Sequence, residues 1–225
     1  MQPDQQRVEK IRSAPEMIGK PQTLSVAARI QRLYRGISAY SRGTVGPDNR
    51  RLRYARASTY GELTARGIAA LIAQTGLGTG DCFVDLGSGS GRVVLSVAML
   101  VPSITAIGIE IDAKRFAIAE SIRQKAEFAN HIAPNRIRYH LADLKDADLA
   151  GGTVYYVCST CFPPRLLNHL ARAVAAQPGA RVFASMHPLP PRVAACFADH
   201  QAVSCPATWA SYTDIHLYRV TAPAP

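Results

Sequence analysis

Residues Asp81-Cys82-Phe83-Val84-Asp85-Leu86-Gly87-Ser88-Gly89-Ser90-Gly91-Arg92 constrain this chain more than any other segment. Phe83, Val84 and Leu86 make a short apolar run of the buried-strand kind, and glycines at three alternate positions then form a turn. Val93, Val94, Leu95, Val97, Ala98 and Leu100 continue as the apolar side of a helix. A strand that turns into a helix on glycines lets a ligand press against the main chain, because no Cβ stands in the way. The free amides of the helix's first turn, at the positive end of its dipole, are expected to hold an anionic or polar group. Glycine turns also serve purely structural ends. The strand before, the helix after and the acid Asp85 within favour a nucleotide or nucleoside site here.

The dinucleotide pattern G-x-G-x-x-G needs its third glycine at position 92, which is arginine, and the phosphate-binding lysine of the P-loop is missing. Asp85, Gly87, Gly89 and Gly91 instead spell D-x-G-x-G-x-G, which resembles motif I of class I S-adenosylmethionine-dependent methyltransferases. A second strand, Ile104 to Ile109, ends in Glu110, where an acid can accept from both hydroxyls of a ribose. Asp143 follows a third strand, Ile137 to Leu141, and is placed to accept from the exocyclic amine of adenine, although Asp is also a common turn former.

Strands and helices alternate along the rest of the chain. A helix capped by Thr23 carries Val26, Ile30, Leu33 and Ile37 on one face. Thr59 to Thr64 opens a helix reaching about Gln74 and burying Leu63, Ile68, Leu71 and Ile72. Asp112 caps a helix with Phe116, Ala119, Ile122 and Ala126 inward. Val154 to Val157 and Arg181 to Met186 are further strands, with a helix from Leu166 to Val174 between them. A short helix, Val193 to Ala198, then precedes two closing strands, Ala202 to Cys205 and Tyr212 to Val220. This order predicts a Rossmann-like, doubly wound α/β fold. Its sheet is seven-stranded and mostly parallel, with a C-terminal antiparallel pair and a ligand at the carboxyl ends of the strands.

Charge is uneven along the chain. Residues 1–57 hold 12 Lys+Arg against 4 Asp+Glu, whereas the remainder holds 14 against 12. The basic character therefore belongs to an N-terminal extension, which suits an acidic partner such as nucleic acid or a nucleoprotein through residues 20–57. Arg50, Arg51, Arg53 and Arg56 around Tyr54 suit phosphate or base contact, and a merely solvated basic loop accounts for them equally. The helix carrying Ile30 reads evenly as a core-packing element or as a substrate-docking arm. The longest apolar run, Val93 to Val101, is too short to span a bilayer. The absence of a basic-then-apolar leader and the five irregularly spaced cysteines suggest a reducing, cytoplasmic setting. Cys158-x-x-Cys161 has the spacing of a redox pair or half a zinc site, and small pocket-lining residues are the favoured reading. No metal site is expected.

The combination of Tyr60-Gly61-Glu62, the run Phe83 to Ala98 and Gly108-Ile109-Glu110 resembles the non-SET histone lysine methyltransferases of the disruptor-of-telomeric-silencing type. The similarity is strongest over residues 59–112 and persists to about 187. It implies a methyltransferase domain over residues 58–221, after the basic extension 1–57 and before a tail at 222–225. It implies that Tyr60 and Glu62 lie over the cofactor and that Glu110 binds ribose. It also places Asp143 near adenine, and the segment after the fourth strand along a lysine channel. The cofactor set is then Tyr60, Glu62, Asp85, Gly87, Ser88, Gly89, Gly91, Arg92, Glu110 and Asp143, and the transfer set is Ser159, Phe162 and Tyr60. Tyr60 and Phe162 are candidates to face the sulfonium of S-adenosyl-L-methionine through their rings. The chain departs from that family at Cys158-Ser159-Thr160-Cys161-Phe162, where relatives carry an Asn-Asn-Phe-x-Phe-like run. Arg92 replaces a glutamine and Leu63 a threonine. The glycine motif also resembles small lysine methyltransferases that modify mitochondrial carriers and an ATP synthase subunit. A protein lysine is thus the expected acceptor, with RNA or a small amine as alternatives. A module that binds the cofactor without transferring its methyl group, and nucleic acid through its basic arm, is the reading from another class.

Overall fold

The computed structural model describes residues 21–37 and 62–220. Tyr60, the arginine-rich loop and the first twenty residues lie outside these, as does the 222–225 tail.

Strand β1 (Cys82–Leu86) is an interior strand, third in order, of a seven-stranded sheet. On one side lie β2 (Thr105–Glu110) and β3 (Ile137–Leu141), and on the other β4 (Val154–Val157) and β5 (Val182–Ser185), all parallel to β1. The order is completed by β7 (Thr213–Arg219), antiparallel to β5, with β6 (Asp199–Cys205) antiparallel at the edge. The expected doubly wound sheet with its antiparallel tail is the observed one. Alternation along each strand feeds two cores. Phe83, Val154, Tyr156 and Val182 join the core under α1 (Pro21–Leu33), α2 (Ala65–Thr75), α3 (Arg92–Leu100) and α4 (Ala113–Phe128). Val84, Leu86, Tyr155 and Phe183 face the second core, under α5 (Pro164–Ala175) and the short α6 (Pro191–Ala194). Asp85 shares the parity of Phe83 and so points toward the α1–α4 side.

Several element ends differ from expectation. Helix α1 starts at Pro21, whose fixed φ suits a first helical turn, so Thr23 lies inside it and is not its cap. Helix α2 starts only at Ala65, where Thr64 accepts from the Gly67 amide. Leu63 is buried, but in an extended bridge to Ala207 instead of a helical turn. Helix α6 likewise begins earlier than expected, at Pro191, and ends at Ala194. Strand β6 begins at Asp199, three residues before the predicted start, because pairing with β7 extends it through polar residues that carry no apolar signal. Asp112 caps α4 as expected, accepting from the amides of Lys114 and Arg115 at 2.9 and 3.0 Å.

Two arginines brace the sheet away from the site. The Arg136 guanidinium donates to the carbonyls of Ala98, Val101 and Ile104, closing the C-terminal end of α3 where a cation is favoured. Arg181 meets Asp81 through two nitrogens at 3.1 and 2.6 Å, tying β5 to the start of β1. Helix α1 packs on α3 with Ile30 and Tyr34 in the core and Val26, Leu33 and Ile37 against it. Its apolar stripe is therefore a packing face. Among the described residues no helix is long and apolar enough to cross a membrane.

Candidate cofactor site at the glycine turn

At the carboxyl end of β1 the chain bends through Gly87, Gly89 and Gly91, all with positive φ, at 91°, 56° and 79°. Two of the three also need the missing side chain. A Cβ at Gly87 would stand 2.8 Å from the ring of Phe162, and one at Gly91 would run into Tyr139 and stand 2.9 Å from Ala119. Tyr139 donates to the Gly91 carbonyl at 3.1 Å, so the turn is held from β3 as well.

The amides of this bend are largely occupied. Gly87 and Ser88 both donate to the Ile109 carbonyl at 2.9 Å, Gly91 donates to the Ser88 carbonyl at 2.9 Å, and Gly89 donates to the Glu110 carboxylate at 2.7 Å. Neighbouring β2 takes three of these four donors, and beside them the bend presents negative charge to a ligand.

Three carboxylates supply that charge. Asp85 is buried, and among the described residues its Oδ1 has no hydrogen-bond partner, nor has the hydroxyl of Ser88. Burial, with Glu110 and Glu62 nearby, pushes the Asp85 carboxyl well above the usual carboxylate range. Glu110 is also buried, and accepts from the amides of Gly89, Ile111 and Asp112. Burial raises its carboxyl, and these amides oppose the rise. A carboxylate has about four acceptor positions, so Glu110 retains capacity for a ligand hydroxyl. Glu62 is raised by burial too, and Arg92 opposes this from 2.6 Å.

Arg92, the first residue of α3, thus meets Glu62, and its guanidinium lies 4.1 Å over the ring of Tyr34. Tyr34 in turn donates to the Ser90 carbonyl at 3.0 Å, and the Ser90 hydroxyl donates to Glu62 at 3.2 Å. Tyr34 escaped the sequence reading, although Val26, Ile30 and Tyr34 recur at helical spacing. Thr208 also escaped it. The Glu62 amide donates to its hydroxyl at 3.1 Å, and its own amide donates to the Glu62 carbonyl at 2.9 Å. No local pattern in the β6–β7 loop marks that role.

The remaining candidates gather at the same end of the sheet. The half-buried ring of Phe162 lies on Gly87. Ser159 is fully buried, and its hydroxyl accepts from the His187 amide at 3.0 Å while the His187 ring donates to its carbonyl at 3.0 Å. Ser159 therefore holds the segment after β4 against the segment after β5. Asp143 follows β3 and accepts from the Lys145 amide at 3.0 Å, in the geometry of a turn former. Burial pushes the Cys158 thiol up to about 11, the opposite of what a redox thiolate requires. Among the described residues no three His, Cys, Asp or Glu side chains gather as metal ligands.

Residues 40–185 match the protein family described as Histone methylation protein DOT1. The chain belongs to the DOT1 family. A relative from Emericella nidulans, named as a histone-lysine N-methyltransferase, H3 lysine-79 specific, is 35% identical over 144 residues, covering 58% of this chain and 28% of its own length. The chain therefore spans little more than a quarter of that DOT1 relative. Among solved structures, TrmN from Thermus thermophilus overlays with a TM-score of 0.54 at 22% identity, over 74% of this chain and 52% of its own. An RNA methyltransferase from Salinibacter ruber, in complex with S-adenosyl-L-homocysteine, gives 0.51 at 20% identity, over 70% and 92%. These two likenesses establish the class I methyltransferase fold that the DOT1 family shares.

Proposed function

We propose that this chain is an S-adenosylmethionine-dependent methyltransferase whose acceptor is a protein lysine. The observation that carries the reading is the set of three carboxylates, buried Asp85 and Glu110 and half-buried Glu62, around a bend kept bare of side chains, with one oxygen of Asp85 unanswered among the described residues. The cofactor fits such a place, being a nucleoside that bears a sulfonium and an ammonium but no phosphate. When bound it supplies a methyl group already activated for transfer.

The protein's own tasks are binding, orientation and exclusion of water. Glu110 accepts from a ribose hydroxyl with its remaining lone pair, and Asp85 and Ser88 face the amino-acid portion. Glu62 and Arg92 offer opposite charges to its ammonium and carboxylate, and Asp143 serves the adenine amine. Phe162 covers Gly87 and supplies an aromatic face near the reacting carbon. A lysine nitrogen attacks only when unprotonated, and an apolar approach past Phe162 disfavours its charged form. Ser159, clamped by His187, fixes the backbone along that approach. The Emericella nidulans relative supports a histone-type lysine, and the basic balance of residues 1–57 supports docking on a nucleoprotein.

Calorimetry with S-adenosyl-L-homocysteine should give saturable heat, and no heat at about 1 mM, a contact worth less than ~4 kcal/mol, would overturn the cofactor reading. Labelled cofactor incubated with nucleosomes, free histones and RNA then identifies the acceptor. A band resistant to RNase and sensitive to protease supports lysine, and label confined to RNA replaces it.

A further inference from the structure

Helix α1 belongs to a segment whose composition suggests an arm for partners, yet Tyr34, in the turn that follows it, reaches the glycine bend. Tyr34 is 4% exposed. Its hydroxyl donates to the Ser90 carbonyl at 3.0 Å, inside the glycine turn, and its ring lies 4.1 Å beneath the Arg92 guanidinium. Arg92 meets Glu62 at 2.6 Å, and Glu62 accepts from the Ser90 hydroxyl at 3.2 Å. These four residues close a ring of contacts: Tyr34 to Ser90, Ser90 to Glu62, Glu62 to Arg92, and Arg92 back to Tyr34. Each of the two charged members faces a cavity of about 280 Å³ bounded by α1, α2, the start of α3 and Thr208.

We propose that Tyr34 is a positioning residue for the cofactor, its ring holding the Arg92–Glu62 pair in the geometry that receives the amino-acid end of S-adenosylmethionine. The inference rests on the cofactor reading above. An arginine on a long stem has many rotamers, and a planar guanidinium stacked on an aromatic face loses most of them before the ligand arrives. Preorganisation of this kind appears in affinity, because the ordering cost is met in the free protein. Burial keeps the Tyr34 phenol protonated, so it remains a donor to the Ser90 carbonyl. The turn that ends α1 is thereby part of the proposed cofactor site, whatever the helix's outward face contacts.

The test is a double-mutant cycle on S-adenosyl-L-homocysteine affinity, measured by calorimetry on wild type, Y34L, R92Q and Y34L/R92Q, with Y34F as the conservative variant. Y34L should weaken binding about fivefold, Y34F should stay within about twofold of wild type, and the double variant should bind no worse than R92Q, since Tyr34 acts through Arg92. Effects of Y34L and R92Q that multiply in the double variant would make Tyr34 a merely structural residue and overturn the proposal. If Y34L does not fold, Y34M takes its place in the same cycle, keeping apolar bulk but no aromatic face, and the same outcomes support or overturn the proposal. Wild type that binds no S-adenosyl-L-homocysteine would overturn the cofactor reading and this inference together, whereas wild-type binding with a multiplicative cycle overturns the inference alone.

Discussion

Asp85 stands where a charge is costly, buried on the α1–α4 side with Glu110 and Glu62 close by and one oxygen without a partner among the described residues. Such a group adds little stability, and in the proposed reading its counterpart is the ligand's ammonium. Asp85→Asn removes the like-charge repulsion while preserving shape. Its melting temperature without ligand is expected to equal or exceed that of wild type, while affinity for S-adenosyl-L-homocysteine falls at least tenfold, about 1.4 kcal/mol. Scanning fluorimetry with and without ligand reads both. Retained affinity in the asparagine variant would remove Asp85 from the site.

Among elements, the extended segment Glu62–Thr64 and the β6–β7 loop act together. Thr208 pairs with Glu62 through both backbone and hydroxyl, and Thr64 reaches the Pro206 carbonyl with its amide and its hydroxyl. Thr208→Val deletes one acceptor and leaves the rest of the pairing. The expected result is a modest loss of stability, roughly 0.5–1.5 kcal/mol, with a two- to fivefold loss of cofactor affinity that Thr208→Ser restores. Equal affinity in the valine variant would show that the loop only covers the core. The glycine turn, the central strands and the cap Asp112 were legible because each rests on local chemistry: an apolar run, residues needed at positive φ, a carboxylate before a helix. Thr208 and Tyr34 were not, because their partners lie 146 and 56 positions away and only the tertiary fold brings them together. The loss of the bend's amides to Ile109 and Glu110 was hidden for the same reason, being a property of the neighbouring strand.

At the scale of the whole molecule, protonation links folding to binding. Burial raises the carboxyls of Asp85, Glu62 and Glu110 above their ordinary values near ~4. Between the ordinary and the raised values the folded chain holds protons that the unfolded chain has already released. These groups therefore stabilise the ligand-free fold less as pH climbs through that window. In the proposed reading the ligand's ammonium needs them ionised, so affinity should rise over the same window. Calorimetry at about pH 5.5 and 7.5 should find S-adenosyl-L-homocysteine bound more tightly at the higher pH, and melting curves should show the advantage of Asp85→Asn over wild type widening with pH. Affinity that is flat or falls with pH would contradict the charge assignment.

The pairing of Leu63 with Ala207 has a consequence for how the protein is made. Synthesis proceeds from the amino end, so Glu62 and the glycine bend leave the ribosome long before the loop that latches them. The Glu62 side of the proposed cofactor seat is latched only once the β6–β7 loop has been made. A chain that lacks the β6–β7 loop would keep the glycine bend but leave the Glu62 segment beside it unlatched.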